Sequence, residues 1–365
     1  MRKFGLTLTA AAAIAALALS GCSSRADDSP ASSGDAKGFP ADSVIGVALP
    51  AKTSENWVLA GDLFVNGLKD AGFKGDVQYA SATNGAADQQ AQITAMIAKK
   101  AKVIIIGAED GGKLGAQVKA AKESGATVIA YDRLILNSPD VDYYVAFDNE
   151  KVGELQAQSL LDGMAAKKPS GPYNIELFSG SATDANSAVF FDGAMKVLQP
   201  KIDDGTLNVV SGQTDIKQTA TDKWAAQNAQ TRMDTLLAAN YATTELDGVL
   251  SPNDNLARAI ITSVQAAGKP VPVVTGQDAE AESVKSIMDG VQYSTISKDT
   301  RDLVAKSIAM VKDLSEGKTI EVNNTTTYDN GKKVVPAYLL EPIIVTKENA
   351  AEVFANDPKL APLTK

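Results

Sequence analysis

The stretch Val103-Ile104-Ile105-Ile106-Gly107, then residues 114–124 closed by Gly125, then Ala126-Thr127-Val128-Ile129-Ala130-Tyr131, decides the fold. The first run is β-branched and too short for a helix. The middle segment has helical spacing and stops at a glycine. The third is again an apolar run of strand length. Strand, helix and strand in this order form a βαβ unit, whose two strands lie parallel. The near-continuous Val and Ile predict a sheet covered on both faces.

The same alternation extends both ways. Upstream are strands at 44–49 and 76–80 and helices at 57–71 and 89–101, with Trp57, Leu63, Phe64 and Leu68 at helical spacing. Downstream a strand at 143–147 ends the first series. A second series then begins, with strands at 174–178, 207–210, 248–251, 271–276 and 292–296. Its helices fall at 185–198, 224–240, 255–267 and 281–289, and another follows at 300–317. After Val334-Val335-Pro336 the end of the chain reads as irregular. The reading is α/β, with two doubly wound parallel-sheet domains in succession. Open parallel sheets bind ligands at the carboxyl ends of their strands, so two facing sheets place a site between domains.

The 365 residues suffice for two domains, and 44% hydrophobic with 22% charged is ordinary globular composition. The formal net charge of −9 argues against a nucleic-acid partner, which needs Lys and Arg. Histidine is absent, which removes Ser-His-Asp and Cys-His catalysis and every zinc site that uses histidine. One cysteine allows neither an intramolecular disulfide nor a thiolate cluster. No cofactor or metal is called for.

Met1-Arg2-Lys3 and the short apolar run at 10–19 read as a secretory signal over residues 1–21. The alternative is an uncleaved signal anchor. Leu19-Ser20-Gly21-Cys22 resembles the lipobox of bacterial lipoproteins, the alternative being a buried free thiol. That resemblance implies cleavage before Cys22 and its lipidation, with the protein held on the extracytoplasmic face of the membrane. Residues 22–42 are small and polar and read as a tether with a reach of roughly 20–25 Å.

The polar residues after the strands converge on one edge. They include Lys52, Asn56 and Trp57, then Asp132 and Arg133, then Asp184 and Asn186. Asn253, Asp254, Asp278 and Lys298 follow, and Trp224 begins a helix near the same edge. A sugar hydroxyl donates and accepts, so its site needs carboxylates, Arg or Lys, and Asn together. A flat aromatic covers the apolar face of the ring. Each residue also has a plain structural reading. Asp or Asn after a strand serves as a helix N-cap, a tryptophan fills core, and Lys298 is a surface charge.

Ala130-Tyr131-Asp132-Arg133-Leu134, the stretch from Phe147 to Gln156, Gly276-Gln277-Asp278-Ala279-Glu280, the stretch from Tyr293 to Thr300, and Val334-Val335-Pro336-Ala337-Tyr338 carry a resemblance. In that order they resemble the type I periplasmic sugar-binding proteins of ABC importers, in the xylose-binding and multiple-sugar-binding branch. The resemblance implies a monosaccharide ligand, hinge closure, delivery to an ABC permease, and a monomer. It implies ligand roles for Trp57, Asp132, Arg133, Asp184, Asn186, Trp224, Asn253, Asp254, Asp278 and Lys298, to which Lys52 and Asn56 are added from their place after the first strand. It also implies a hinge of three crossings, near 147–148, 297–298 and 332–336. The first domain would then hold 43–147 and 299–332, and the second 148–298 and 333–365. Some relatives carry Arg where this chain has Asn56, so no particular sugar transfers. A sugar-sensing co-receptor is compatible with the same features. A secreted glycosidase using an acid pair is the rival from another class. A transcriptional regulator would need a helix-turn-helix where this chain has a signal and tether.

Overall fold

The computed structural model describes residues 38–52 and 54–365; the signal, Cys22 and most of the tether lie outside the described residues. In chain order the elements begin β1 (Val44–Leu49), α1 (Glu55–Asp70), β2 (Lys74–Tyr79), α2 (Gly85–Ala98), β3 (Val103–Ile106), α3 (Gly115–Glu123), β4 (Thr127–Tyr131) and β5 (Tyr143–Phe147). Next come α4 (Asn149–Lys167), β6 (Tyr173–Leu177), α5 (Ala185–Asp203), β7 (Leu207–Val209), a helical turn α6 (Ile216–Thr219), α7 (Ala226–Asn240), β8 (Gly248–Leu250), α8 (Asp254–Ala266) and β9 (Val273–Val274). The chain ends with α9 (Ala281–Met288), β10 (Ser294–Ser297), α10 (Thr300–Ser315), β11 (Ala337–Leu340), β12 (Ile343–Thr346) and α11 (Ala350–Val353).

The strands form a six-stranded sheet in the order β11-β5-β4-β3-β1-β2 and a four-stranded sheet in the order β7-β6-β8-β9, both parallel. An antiparallel ribbon of β10 and β12 completes the second lobe. Val103, Ile104, Ile105 and Ile106 are all fully buried, as a sheet covered on both faces requires. One face of the first sheet packs on Ile93, Met96 and Val118, the other on Phe64, Leu68, Leu303 and Val311. The strand Val44–Leu49 and the parallel βαβ order appear as the residues predict.

Three features differ from the sequence reading. The chain enters β11 before it leaves the first lobe, because β11 pairs in register with β5 and Val335 sits in the first core. Residues 333–340 therefore belong with the first sheet. The third passage between sheets falls at Glu341-Pro342, between β11 and β12, rather than at 332–336. The polar stretch read as tether also ends earlier. The Phe39 ring packs 6.2 Å from Phe73, and its N–H donates to the Ser315 carbonyl.

The third difference is α4, nineteen residues long and without an apolar stripe. Its inward face carries Asn149, Gly153, Gln156, Ser159 and Gly163 among the apolar residues. It crosses α5 at a pair of glycines. A Cβ on Gly153 would stand 2.0 Å from the Phe190 carbonyl oxygen, and one on Gly193 would stand 2.2 Å from that of Glu150. No helix among the described residues is long and apolar enough to cross a membrane.

Candidate functional site

The carboxyl ends of the two sheets face each other across a cavity of about 410 Å³. From the first lobe its wall takes Asn56 and Trp57 at the start of α1, Glu109 after β3, and Asp132 and Arg133 after β4. From the second it takes Ser181, Thr183 and Asp184 after β6, then Asn186, Lys223, Trp224, Asn253 and Asp278. Lys298 enters from the passage between β10 and α10.

Asp184 shows how one residue serves two purposes. It is the N-cap of α5, where Oδ1 accepts from the Asn186 N–H at 3.0 Å. Its Oδ2 accepts from Trp224 Nε1 at 3.2 Å and pairs with Arg133 Nε at 3.0 Å. The last contact joins one lobe to the other. Arg133 also donates to the Ala108 carbonyl and lies 5.2 Å from the centre of the Trp57 ring. Asn186 reaches back across the cavity and donates to the Asp132 carbonyl at 2.9 Å.

Asp132 and Asp278 hold matching places in the two lobes. Each follows a strand and has a left-handed backbone, with φ of 60° and 92°. Each donates its N–H to the next strand over, Asp132 to the Val145 carbonyl and Asp278 to that of Ile296. Ala279 is left-handed too, at φ 51°. Non-glycine residues in this region cost about 1–3 kcal/mol each and persist where surrounding structure holds them, commonly at functional sites.

Lys298 is held among these acids, 3.1 Å from Asp278 Oδ1. Burial opposes its charge, but Asp278, Asp132 and Asp184 outweigh burial and hold the ammonium above its ordinary pKa. Burial pushes the Asp132 carboxyl up, with Lys298 and Arg133 pulling the other way. The site is thus a ring of alternating acids and bases that donates and accepts in several directions.

Two tryptophans flank it. Trp57 meets Tyr131 edge-on at 6.1 Å between ring centres. Trp224 does not begin a helix. It ends a short 3-10 turn (Asp222–Trp224) in which Lys223 and Trp224 are both left-handed, and α7 starts at Ala226. That turn lays the indole against Gly180, where a Cβ would come within 2.2 Å of the ring.

Ten of the twelve expected residues line the cavity: Asn56, Trp57, Asp132, Arg133, Asp184, Asn186, Trp224, Asn253, Asp278 and Lys298. Lys52 and Asp254 do not. Lys52 is exposed, with its ammonium 4.4 Å from the Tyr79 ring centre. Asp254 is wholly buried behind the wall, because α8 turns its first residue into the second lobe rather than the cleft. Ser181, Thr183, Lys223 and Gln277 belong to the wall and were not among the expected residues. Gln277 sits beside Asp278 on the same strand end, a signal that was available. Lys223 faces the cavity only through the left-handed turn, which no local residue announces.

Residues 45–319 match the family model described as a periplasmic binding protein domain. The chain belongs to the periplasmic binding protein family. This periplasmic binding protein is 48% identical over 324 residues to the multiple sugar-binding periplasmic receptor ChvE of Rhizobium radiobacter, covering 87% of this chain and 91% of that one. It is 37% identical over 314 residues to the D-xylose-binding periplasmic protein of Escherichia coli, covering 86% and 89%. A solved ABC transporter solute-binding protein from Clostridium phytofermentans with bound β-D-glucose superimposes with a TM-score of 0.84 at 39% identity. That match covers 88% of this chain and all of the other.

Proposed function

We propose that this periplasmic binding protein captures a monosaccharide, xylose or a related aldopyranose such as glucose, galactose or arabinose, and delivers it to an ABC permease. The observation that carries this reading is the cavity itself. Acids, a guanidinium, an ammonium and amides from both lobes face one space, with Trp57 and Trp224 at its sides. Hydroxyls pair with the polar groups, and the apolar face of a pyranose lies on an indole. An analogue lacking a hydroxyl leaves a buried polar group unpaired and is rejected.

Residues from both lobes touch the same ligand, so the sugar favours the closed arrangement by differential affinity. Closure bends the chain at its three passages between the sheets, near Phe147–Asp148, Ser297–Lys298 and Glu341–Pro342. The closed form docks on the permease as a monomer and returns the sugar unaltered. Lipidation at Cys22 would keep the receptor at the extracytoplasmic face of the membrane. The curated xylose and multiple-sugar receptors and the glucose-bound solved structure support this assignment.

Thermal-shift screening against neutral aldoses, ketoses, polyols and uronic acids tests it, with the sugar assayed afterwards. A ligand at a hundred times its Kd adds about 2.7 kcal/mol of stability. A rise with an aldose that is recovered intact is expected. No response to any monosaccharide would overturn the reading, and sugar consumed during the assay would turn it toward a glycosidase.

A further inference from the structure

We propose that Asp254, outside the cavity wall, is a positioning residue that fixes the turn Gln277–Glu280 and so aims Asp278 into the site. The inference rests on reading the cavity as the solute site.

The Asp254 N–H and both carboxylate oxygens are spent on that turn or on its support. Its N–H donates to the Gln277 carbonyl at 3.0 Å. Its Oδ2 accepts from the Glu280 N–H at 2.9 Å, closing the far end of the turn. The same oxygen accepts from Thr295 Oγ1 at 3.0 Å, and that hydroxyl in turn receives the Ala279 N–H at 3.2 Å. Oδ1 accepts from Gln292 Nε2 at 2.8 Å. Gly276 makes room for the arrangement, since a Cβ there would lie 2.1 Å from Asp254 Oδ1. One residue therefore holds both ends of a segment whose middle residues, Asp278 and Ala279, are left-handed: its backbone N–H holds the Gln277 end and its carboxylate the Glu280 end.

The clamp needs an acceptor on both oxygens. The groups facing Asp254 are Glu280, held by Arg258 at 2.5 Å, and Asp278, held by Lys298 at 3.1 Å. Both carboxylates add to burial in raising the Asp254 carboxyl. An asparagine is nearly isosteric but turns one acceptor into a donor that faces other donors.

Hydrogen exchange and calorimetry on Asp254→Asn, and on Thr295→Val, test the proposal. Thr295→Val retains the carboxylate and removes one support, so it serves where the asparagine variant does not fold. Faster exchange confined to the amides of 278–280 is expected. D-xylose and D-glucose binding should weaken by about tenfold, while binding is retained in form. Exchange rising evenly through the second lobe, or unchanged protection at 278–280, would overturn the proposal. Exchange is read without ligand. A wild-type protein that binds neither sugar would therefore defeat the functional reading and leave this inference to be judged on its own.

Discussion

Arg133 Nε stands 3.0 Å from Asp184 Oδ2, and this ion pair joins two lobes whose sheets share no strand. Both partners are nearly buried, with side-chain exposures of 12% and 4%. A pair so placed gains little by itself, because desolvation offsets attraction. Removing one partner leaves an uncompensated charge.

Arg133→Ala should therefore weaken D-xylose or D-glucose binding by about 2–5 kcal/mol, thirtyfold or more. Titration calorimetry reads the change. An unaltered Kd would mean that Arg133 contributes neither to closure nor to the ligand.

Gly180→Ala places a methyl group where the Trp224 ring now lies. The indole must move away from Asp184, which its Nε1 now contacts. Sugar affinity should fall by more than stability does, because the indole lines the cavity and is only partly buried against the core of the second lobe. The expectation fails if Gly180→Ala binds sugar as the wild type does.

Gly153→Ala makes the opposite pattern. The new Cβ meets the backbone carbonyl of Phe190, which no rotamer change can relieve. Overpacking of this kind costs about 1–3 kcal/mol, and here two helices must separate. Urea unfolding should show a lower midpoint, and an unchanged one would show that α4 and α5 slide apart freely.

Acidity should act through the buried carboxyls. Burial raises Asp254 well above the ordinary carboxylate range and raises Asp132 as well. Such a group holds more protons folded than unfolded between its ordinary and raised pKa. Its contribution is full below the ordinary value and is lost as pH rises through the folded one. The stability of the wild type relative to Asp132→Asn should thus decline from acid toward neutral pH. Chemical unfolding of both across that range checks the sign, and a gap that widens with pH would contradict it.

The parallel sheets were legible because runs such as Val103–Ile106 carry their burial in their composition. α4 was not, because its inward face mixes Asn149, Gln156 and Ser159 with glycines. These polar groups are paired inside; Gln156, for example, donates to the Gly276 carbonyl. Most of the cavity wall followed from asking what succeeds each strand, as with Asp132, Asp184 and Asp278. The same question misplaced Asp254. Asn253 takes the N-cap of α8, and the next residue points a different way. The sheet membership of β11 was hidden because its partner strand β5 lies far back in the chain.

That distant pairing bears on how the molecule comes into being. The six-stranded sheet opens with β1 and gains its edge strand only at Ala337–Leu340, after strands β6 to β10 of the second lobe have been synthesised. α10, which packs on α1, also comes after those strands. The first lobe therefore cannot finish folding as an independent early unit. Its β5 edge waits for nearly the full chain, so the two lobes reach their native form together, late, and through contacts of long sequence separation.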